Sequence, residues 1–272
     1  MNSIHISFRG KYGLSNRIRS MAGHYALSKI QNLTASFEWH YDDSCPGIFD
    51  EVFQEIPEFS FTKPDHSEDY LTNRFDIYVS SATKPTTCGS HPDAIFDSYL
   101  KNDTSDRVVF DNFVSEFYSI LKPSNFVLEA IQGLLSQVTV KVLGVHIRRT
   151  DMIDHSIKLG IEPPNDEILL NEVKDYLKNN DVEKIYVAAD NPKSIELMES
   201  EFPGLIISQN SEWIMSNGQL VNDSKIQARL TSLTQAVSDV YLLSRCNYII
   251  GTKLSSFSTF ASTWGNTPYK RV

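Results

Sequence analysis

Apolar and polar positions along the chain switch between two periods. Residues 4–8 alternate, with His5 and Ser7 between apolar neighbours, as a half-buried strand does. After a turn containing Gly10 and Gly13, Ile18, Met21, Ala22, Tyr25 and Ala26 recur at helical spacing, which predicts a helix over about 15–30 capped by Ser15 or Asn16. Residues 36–41, 75–80 and 107–110 read as further strands, 83–93 as a loop, and 111–121 and 125–135 as helices.

The second half is cleaner. Residues 142–147 form an apolar run suited to a buried parallel strand. A helix over 167–177, a strand over 184–189 and a helix started by Asn191 and Pro192 follow. Strands over 205–207 and 248–250 flank a long helix over 228–244, while 208–225 carries Trp213 and no clear period. Strands alternating with helices predict parallel sheets covered on both faces. The boundary between two domains is expected near Gln137, giving 1–136 and 137–272.

The chain has 272 residues, of which 41% are hydrophobic, enough for one large core or two smaller ones. A net charge of −9 argues against nucleic acid or an anionic membrane as partner, so any basic cluster serves a single bound anion. Cys45, Cys88 and Cys246 are widely spaced, which excludes a CxxC zinc site or a disulfide framework and fits a reducing compartment. The start of the chain lacks a signal peptide, and no apolar stretch is long enough for a membrane span.

In open α/β sheets ligands bind beyond the carboxyl ends of the strands, and four polar groups fall there. His146-Ile147-Arg148-Arg149-Thr150-Asp151 leaves a buried strand, and its guanidinium forks match phosphate oxygens; a structural ion pair with Asp151 is the alternative. Gly10 to Arg17 is a glycine turn entering a helix, a place for an anion, yet it is neither GxxxxGK[ST] nor GxGxxG. Asp190 follows the strand over 184–189, where it can accept from a sugar or base or help cap the next helix. Gly251 to Ser258 is a hydroxyl-rich loop that can donate to phosphate or cap a helix. Asp239 lies on a polar stripe with Ser232 and Gln235, facing solvent or a cleft. No GxSxG elbow, HExxH motif or bridging carboxylate pair is present.

Together these segments resemble the α-1,6-fucosyltransferases and nodulation-type fucosyltransferases, and more loosely the protein O-fucosyltransferases. Gly144-Val145-His146-Ile147-Arg148-Arg149-Thr150-Asp151 resembles their H-x-R-R-x-D hallmark. Residues 185–192 are similar to a second segment, and Asp239 with Leu242-Leu243-Ser244, Gly251-Thr252 and Ser255-Ser256-Phe257 to a third, all in the family's order. Gly13-Leu14-Ser15-Asn16-Arg17 is similar to the N-terminal Gly-x-x-Asn-[Arg/Gln] loop of related enzymes.

The resemblance implies a GT-B-like α/β architecture of two Rossmann-like domains facing across a cleft, the N-terminal one reduced. It implies metal-independent, inverting transfer of fucose from GDP-fucose to a hydroxyl of a glycan acceptor, with no cofactor beyond that co-substrate. Arg148 would hold the donor pyrophosphate, with Ser255 and Ser256 beside it and Phe257 in the same loop. His146, Asp190 and Asp239 would line the donor pocket, joined by Gly13, Asn16 and Arg17 from the N-terminal loop. Core α-1,6 enzymes carry a Lys after the motif's Asp and a Glu a few residues later. Met152 and the Asp154-His155-Ser156 stretch stand there instead, so the base is sought among Asp151, Asp154 and His155. A cytoplasmic enzyme without a membrane anchor is expected. The rival readings are another nucleotide sugar on the same fold, a non-catalytic glycan- or nucleotide-binding relative, and an α/β protein whose arginines are structural.

Overall fold

The computed structural model describes residues 3–9, 12–41, 45–62, 76–81, 85–88, 91–100, 104–138, 141–150, 152–211, 215–216, 219–220 and 231–272. The chain divides into two compact units, Met1–Ser124 and Asn125–Val272.

The first unit runs β1 (Ser3–Arg9), α1 (Leu14–Gln31), β2 (Thr34–Glu38), α2 (Phe49–Val52), β3 (Phe59–Thr62), β4 (Asp76–Ser81), β5 (Pro85–Cys88), α3 (Pro92–Tyr99) and α4 (Thr104–Ile120). Its sheet has the order β3-β2-β1-β4-β5. The first three strands are parallel, as expected, but β4 runs antiparallel to β1 and β5 antiparallel to β4. Ile4, Ile6, Ala35 and Phe37 are buried, and the rings of Tyr25, Phe37, Phe59 and Phe117 meet edge to face or tilted in a shared core.

Residues 107–110, expected as a strand, belong to α4. Arg107 pairs through Nε with Asp111 at 2.9 Å, one helical turn on, and Phe110 and Phe117 are both fully buried at helical spacing. Within the expected loop over 83–93, Pro85–Cys88 instead extends the sheet as an edge strand. Gly13, rather than Ser15 or Asn16, occupies the N-cap of α1, and both Asn16 and Arg17 donate their backbone N–H to the Gly13 carbonyl.

The second unit runs α5 (Asn125–Leu135), β6 (Val142–Ile147), α6 (Met152–Lys158), α7 (Asp166–Asn179), β7 (Lys184–Ala189), α8 (Pro192–Glu201), β8 (Ile206–Ser208), β9 (Met215–Ser216), β10 (Gln219–Leu220), α9 (Leu233–Leu243), β11 (Tyr248–Gly251), α10 (Ser256–Gly265) and β12 (Tyr269–Arg271). The division falls before Asn125 rather than near Gln137, because α5 packs on α9 and so joins the second unit. The main sheet, in the order β12-β11-β6-β7-β8, is parallel throughout.

Alternation along the strands sorts residues between two helical layers. Leu143, Val145, Ile147, Ile185, Val187 and Ile250 form one core with Leu169 and Val173 of α7, Met198 of α8 and Phe202 at the end of α8. The opposite face carries Gly144, His146 and Tyr186 against α9 and α10. A Cβ on Gly144 would come within 3.0 Å of Leu243 and 3.2 Å of Cys246, so glycine lets α9 pack closely on β6 and any larger residue would make those side chains give by a few tenths of an ångström.

Candidate active site

The chain leaves β6 for β7 and β8 on one side, then returns to place β11 on the other. The carboxyl ends of β6 and β11 therefore flank the switch point of the sheet, where doubly wound folds open a crevice. Three of the four polar groups expected at strand ends meet there.

Arg148, Arg149 and Thr150 leave β6 between its two neighbours. The Arg148 N–H donates to Thr252 Oγ1 at 2.9 Å. The Arg149 N–H donates to both oxygens of Asp190, at 3.1 and 2.9 Å, and the Thr150 N–H donates to Asp190 Oδ2 at 2.9 Å. Thr150 Oγ1 and Asn191 Nδ2 add bonds to Asp190 at 2.7 and 2.8 Å. Thr252 in turn gives its N–H and its hydroxyl to the His146 carbonyl, at 3.0 and 3.2 Å.

Arg149 turns to the α7 side, where Nε donates to Asp166 Oδ1 at 2.8 Å in the first turn of that helix. Its Nη1 also reaches Thr252 Oγ1 at 3.3 Å. Asp166 is thus its ion-pair partner; Asp151, the partner expected, lies outside the described residues. Arg148 is half-buried.

His146 is 5% exposed and stacks on Phe257, with ring centroids 4.9 Å apart. Burial, then the charges of Arg148 and Arg149, push its pKa down to about 3, so the ring is neutral. Its Nδ1 is buried with no hydrogen-bond partner among the described residues.

Phe257 belongs to the first turn of α10. Ser255 is the N-cap of that helix, its Oγ accepting from the Phe257 N–H at 3.3 Å, and its own N–H bonds the Thr252 carbonyl. Ser256 is the first helical residue. The helix can lie this close because residue 251 is glycine; a Cβ there would fall 2.5 Å from Ser258. The positive end of α10 thus sits beside the Arg148 turn, both at the carboxyl edge of the sheet.

Asp239 of α9 lies deeper. It is 7% exposed and accepts from Tyr186 Oη at 2.6 Å and Gln209 Nε2 at 2.5 Å. Burial, then the charge of Asp239 and this bond, hold the Tyr186 hydroxyl well above its ordinary pKa. Asp154 and His155 lie on α6, the first half-buried and the second exposed.

The N-terminal loop residues belong to the first unit. Asn16 Oδ1 accepts from Arg19 Nη2 at 2.8 Å. Arg17, expected as a donor ligand, is instead wholly buried. Its Nε donates to the Tyr12 carbonyl at 2.7 Å, Nη1 donates to the His40 carbonyl, and the guanidinium lies over the Trp39 ring. It holds two backbone segments together, and burial leaves no face for an anion.

Four residues at the site escaped the sequence reading: Thr150, Asp166, Tyr186 and Gln209. Thr150 was legible only as part of the arginine motif, and Asp166 only as an acid in the first turn of a helix, a common position. Tyr186 stood out only as part of the 185–192 segment and Gln209 not at all, because both act through a partner distant in sequence.

Residues 90–261 match the sequence profile described as the α-(1,6)-fucosyltransferase N- and catalytic domains. No curated protein matches the chain by sequence. Among solved structures, fucosyltransferase NodZ from Bradyrhizobium superposes with a TM-score of 0.57 at 13% identity, covering 96% of this chain and 93% of that one. POFUT1 in complex with GDP-fucose gives 0.59 at 11% identity, covering 97% and 96%. A mutant of Arabidopsis thaliana FUT1 in complex with GDP gives 0.53 at 13% identity, covering 99% of this chain and 70% of that one. The fold is that of the GT-B fucosyltransferases, two α/β units with Rossmann-like parallel sheets.

Proposed function

We propose, since this chain belongs to the α-(1,6)-fucosyltransferase family and is a glycosyltransferase, that it moves fucose from GDP-fucose to a hydroxyl of a glycan acceptor, with inversion and without a metal ion. The observation that carries this reading is Arg148 at the switch point, beside the amino end of α10. The acceptor oxygen attacks the anomeric carbon as the bond from that carbon to the β-phosphate oxygen breaks, and the electron pair leaves with GDP. Negative charge grows on the diphosphate, and fixed positive charge beside it lowers the barrier. Arg148 supplies that charge, which makes a divalent cation unnecessary. Ser256 and the α10 dipole assist.

His146 takes part as a neutral ring. Its orphaned Nδ1 is a buried polar atom that a bound donor would satisfy. The acceptor proton goes to a base at or near the start of α6, with Asp151, Asp154 and His155 as the candidates. Cys45 and Cys246 are buried free thiols, in keeping with a cytoplasmic location; no helix among the described residues is long and apolar enough to cross a membrane.

The test is turnover of GDP-fucose by the wild type and by Arg148→Ala and Arg148→Lys, in excess chelator, with thermal melting alongside. Loss of one charged hydrogen bond of about 1.5–3 kcal/mol predicts kcat lower by about one to two powers of ten. An Arg148→Ala protein that melts normally and turns over like wild type refutes the role of Arg148, and activity that needs added Mg²⁺ refutes metal independence.

A further inference from the structure

We infer that Asp190 and Thr252 are positioning residues for Arg148, a two-sided brace that holds the turn after β6, rather than ligands of the donor. This rests on the proposed reading of Arg148 as the diphosphate-binding group. Three consecutive backbone N–H groups, of Arg148, Arg149 and Thr150, are taken by side chains from the neighbouring strand ends. Asp190 braces from the β7 side and Thr252 from the β11 side.

Two consequences follow from the satisfied bonds. A carboxylate offers about four lone-pair sites, and those of Asp190 are filled by the Arg149 N–H, the Thr150 N–H and hydroxyl, and the Asn191 amide. A sugar or base could bind Asp190 only by displacing one of them. The N–H groups of Arg148, Arg149 and Thr150, likewise, are not free to form an anion nest, so what these three residues offer an anion is the arginine side chains. How Arg148 is aimed then depends on the brace, and a misplacement of about 1 Å at a catalytic group can cost a hundredfold in rate.

The variants are Asp190→Asn, Thr252→Val and Thr252→Ser, each made alone and with Arg148→Ala. Asn at 190 keeps the size but turns an NH₂ or a weaker acceptor toward two N–H groups. Val at 252 keeps the shape and removes the hydroxyl. Asp190→Asn and Thr252→Val are expected to lower kcat about ten- to a hundredfold, with melting still cooperative. Thr252→Ser, which keeps the hydroxyl, should restore most of what Thr252→Val loses.

In the Arg148→Ala background both changes should lose little more, because they act through Arg148. Full additivity there would overturn the brace and return Asp190 to direct donor contact. Amide hydrogen exchange without any donor supplies an independent readout. Asp190→Asn should speed exchange at Arg149 and Thr150, and unchanged protection overturns the inference whatever the activity. Failure of the wild type to bind GDP in calorimetry or to turn over GDP-fucose would instead defeat the proposed function, leaving the exchange result to decide the brace.

Discussion

Replacing Tyr186 by Phe removes one oxygen from the interior of the second unit and leaves everything else in shape. The hydroxyl donates to Asp239 Oδ1 at 2.6 Å, Tyr186 is fully buried, and Asp239 is 7% exposed. No cavity of consequence forms, since the ring stays. The cost is a hydrogen bond to a buried carboxylate, worth about 1.5–3 kcal/mol. Gln209 still donates to the same oxygen at 2.5 Å, which keeps Asp239 from being stranded and points to the middle of that range. A loss of about 2 kcal/mol corresponds to a melting point lower by about 4–8 °C for a unit of this size.

Calorimetry on the purified chain, with the transition of the second unit followed separately, gives the number. A cycle with Asp239→Asn isolates the pair, because the Asn oxygen can still accept from Tyr186 but without charge. Tyr186→Phe should then cost clearly less in the Asn background. A melting point unchanged on Tyr186→Phe, or equal losses in both backgrounds, would refute the claim that this pair anchors β7 to α9.

The buried histidines make a pH prediction. Burial pulls His24 down to about 4 and His146 to about 3, against about 6.5 in the unfolded chain. Between those values the unfolded chain binds more protons, so this stability is full above about pH 6.5 and is lost as pH falls toward the folded values, at up to about 1.4 kcal/mol per pH unit for each histidine. Urea midpoints across that range should fall with pH, and His24→Leu should flatten the slope of the first unit. Gly251→Ala should destabilise the second unit by about 1–3 kcal/mol through overpacking and weaken GDP binding, since Ser258, and α10 with it, must move away from residue 251; calorimetric binding at wild-type affinity would contradict the close fit. Arg17→Lys keeps the charge but loses the fork that spans the Tyr12 and His40 carbonyls, so the first unit should lose about 2 kcal/mol, measured by melting, and a variant as stable as wild type would count against that anchoring role.

Much of the second unit was legible in one dimension. The expected bounds of β6, β7 and α5 agree with the structure to the residue. A strand buried on both faces reads as an unbroken apolar run, and residues 142–147 supply one. Asn191 and Pro192 start α8 as read, because capping is a local interaction, here a bond from the Ser194 N–H to the Asn191 side chain. The edge strands β5 and β12 were missed because a short segment paired on one side needs little apolar character, and Pro85–Cys88 and Tyr269–Arg271 have little.

Tertiary structure alone decided what those residues do. Asp190 meets Arg149 across 41 positions of chain, and Thr252 meets Arg148 across 104. Such bonds depend on which strands become neighbours, and no local period encodes that the chain returns to place β11 beside β6. The pattern that brought Arg17 forward as a donor ligand, the resemblance of Gly13 to Arg17 to a Gly-x-x-Asn-[Arg/Gln] loop, is the same whether the side chain faces solvent or the core. Only the packing of Trp39 against its guanidinium and the approach of the His40 carbonyl turned it inward. The residue types and their order along the chain were thus written in the sequence, while the partners of each polar group, and so its role, came from contacts that exist only after the sheet has formed.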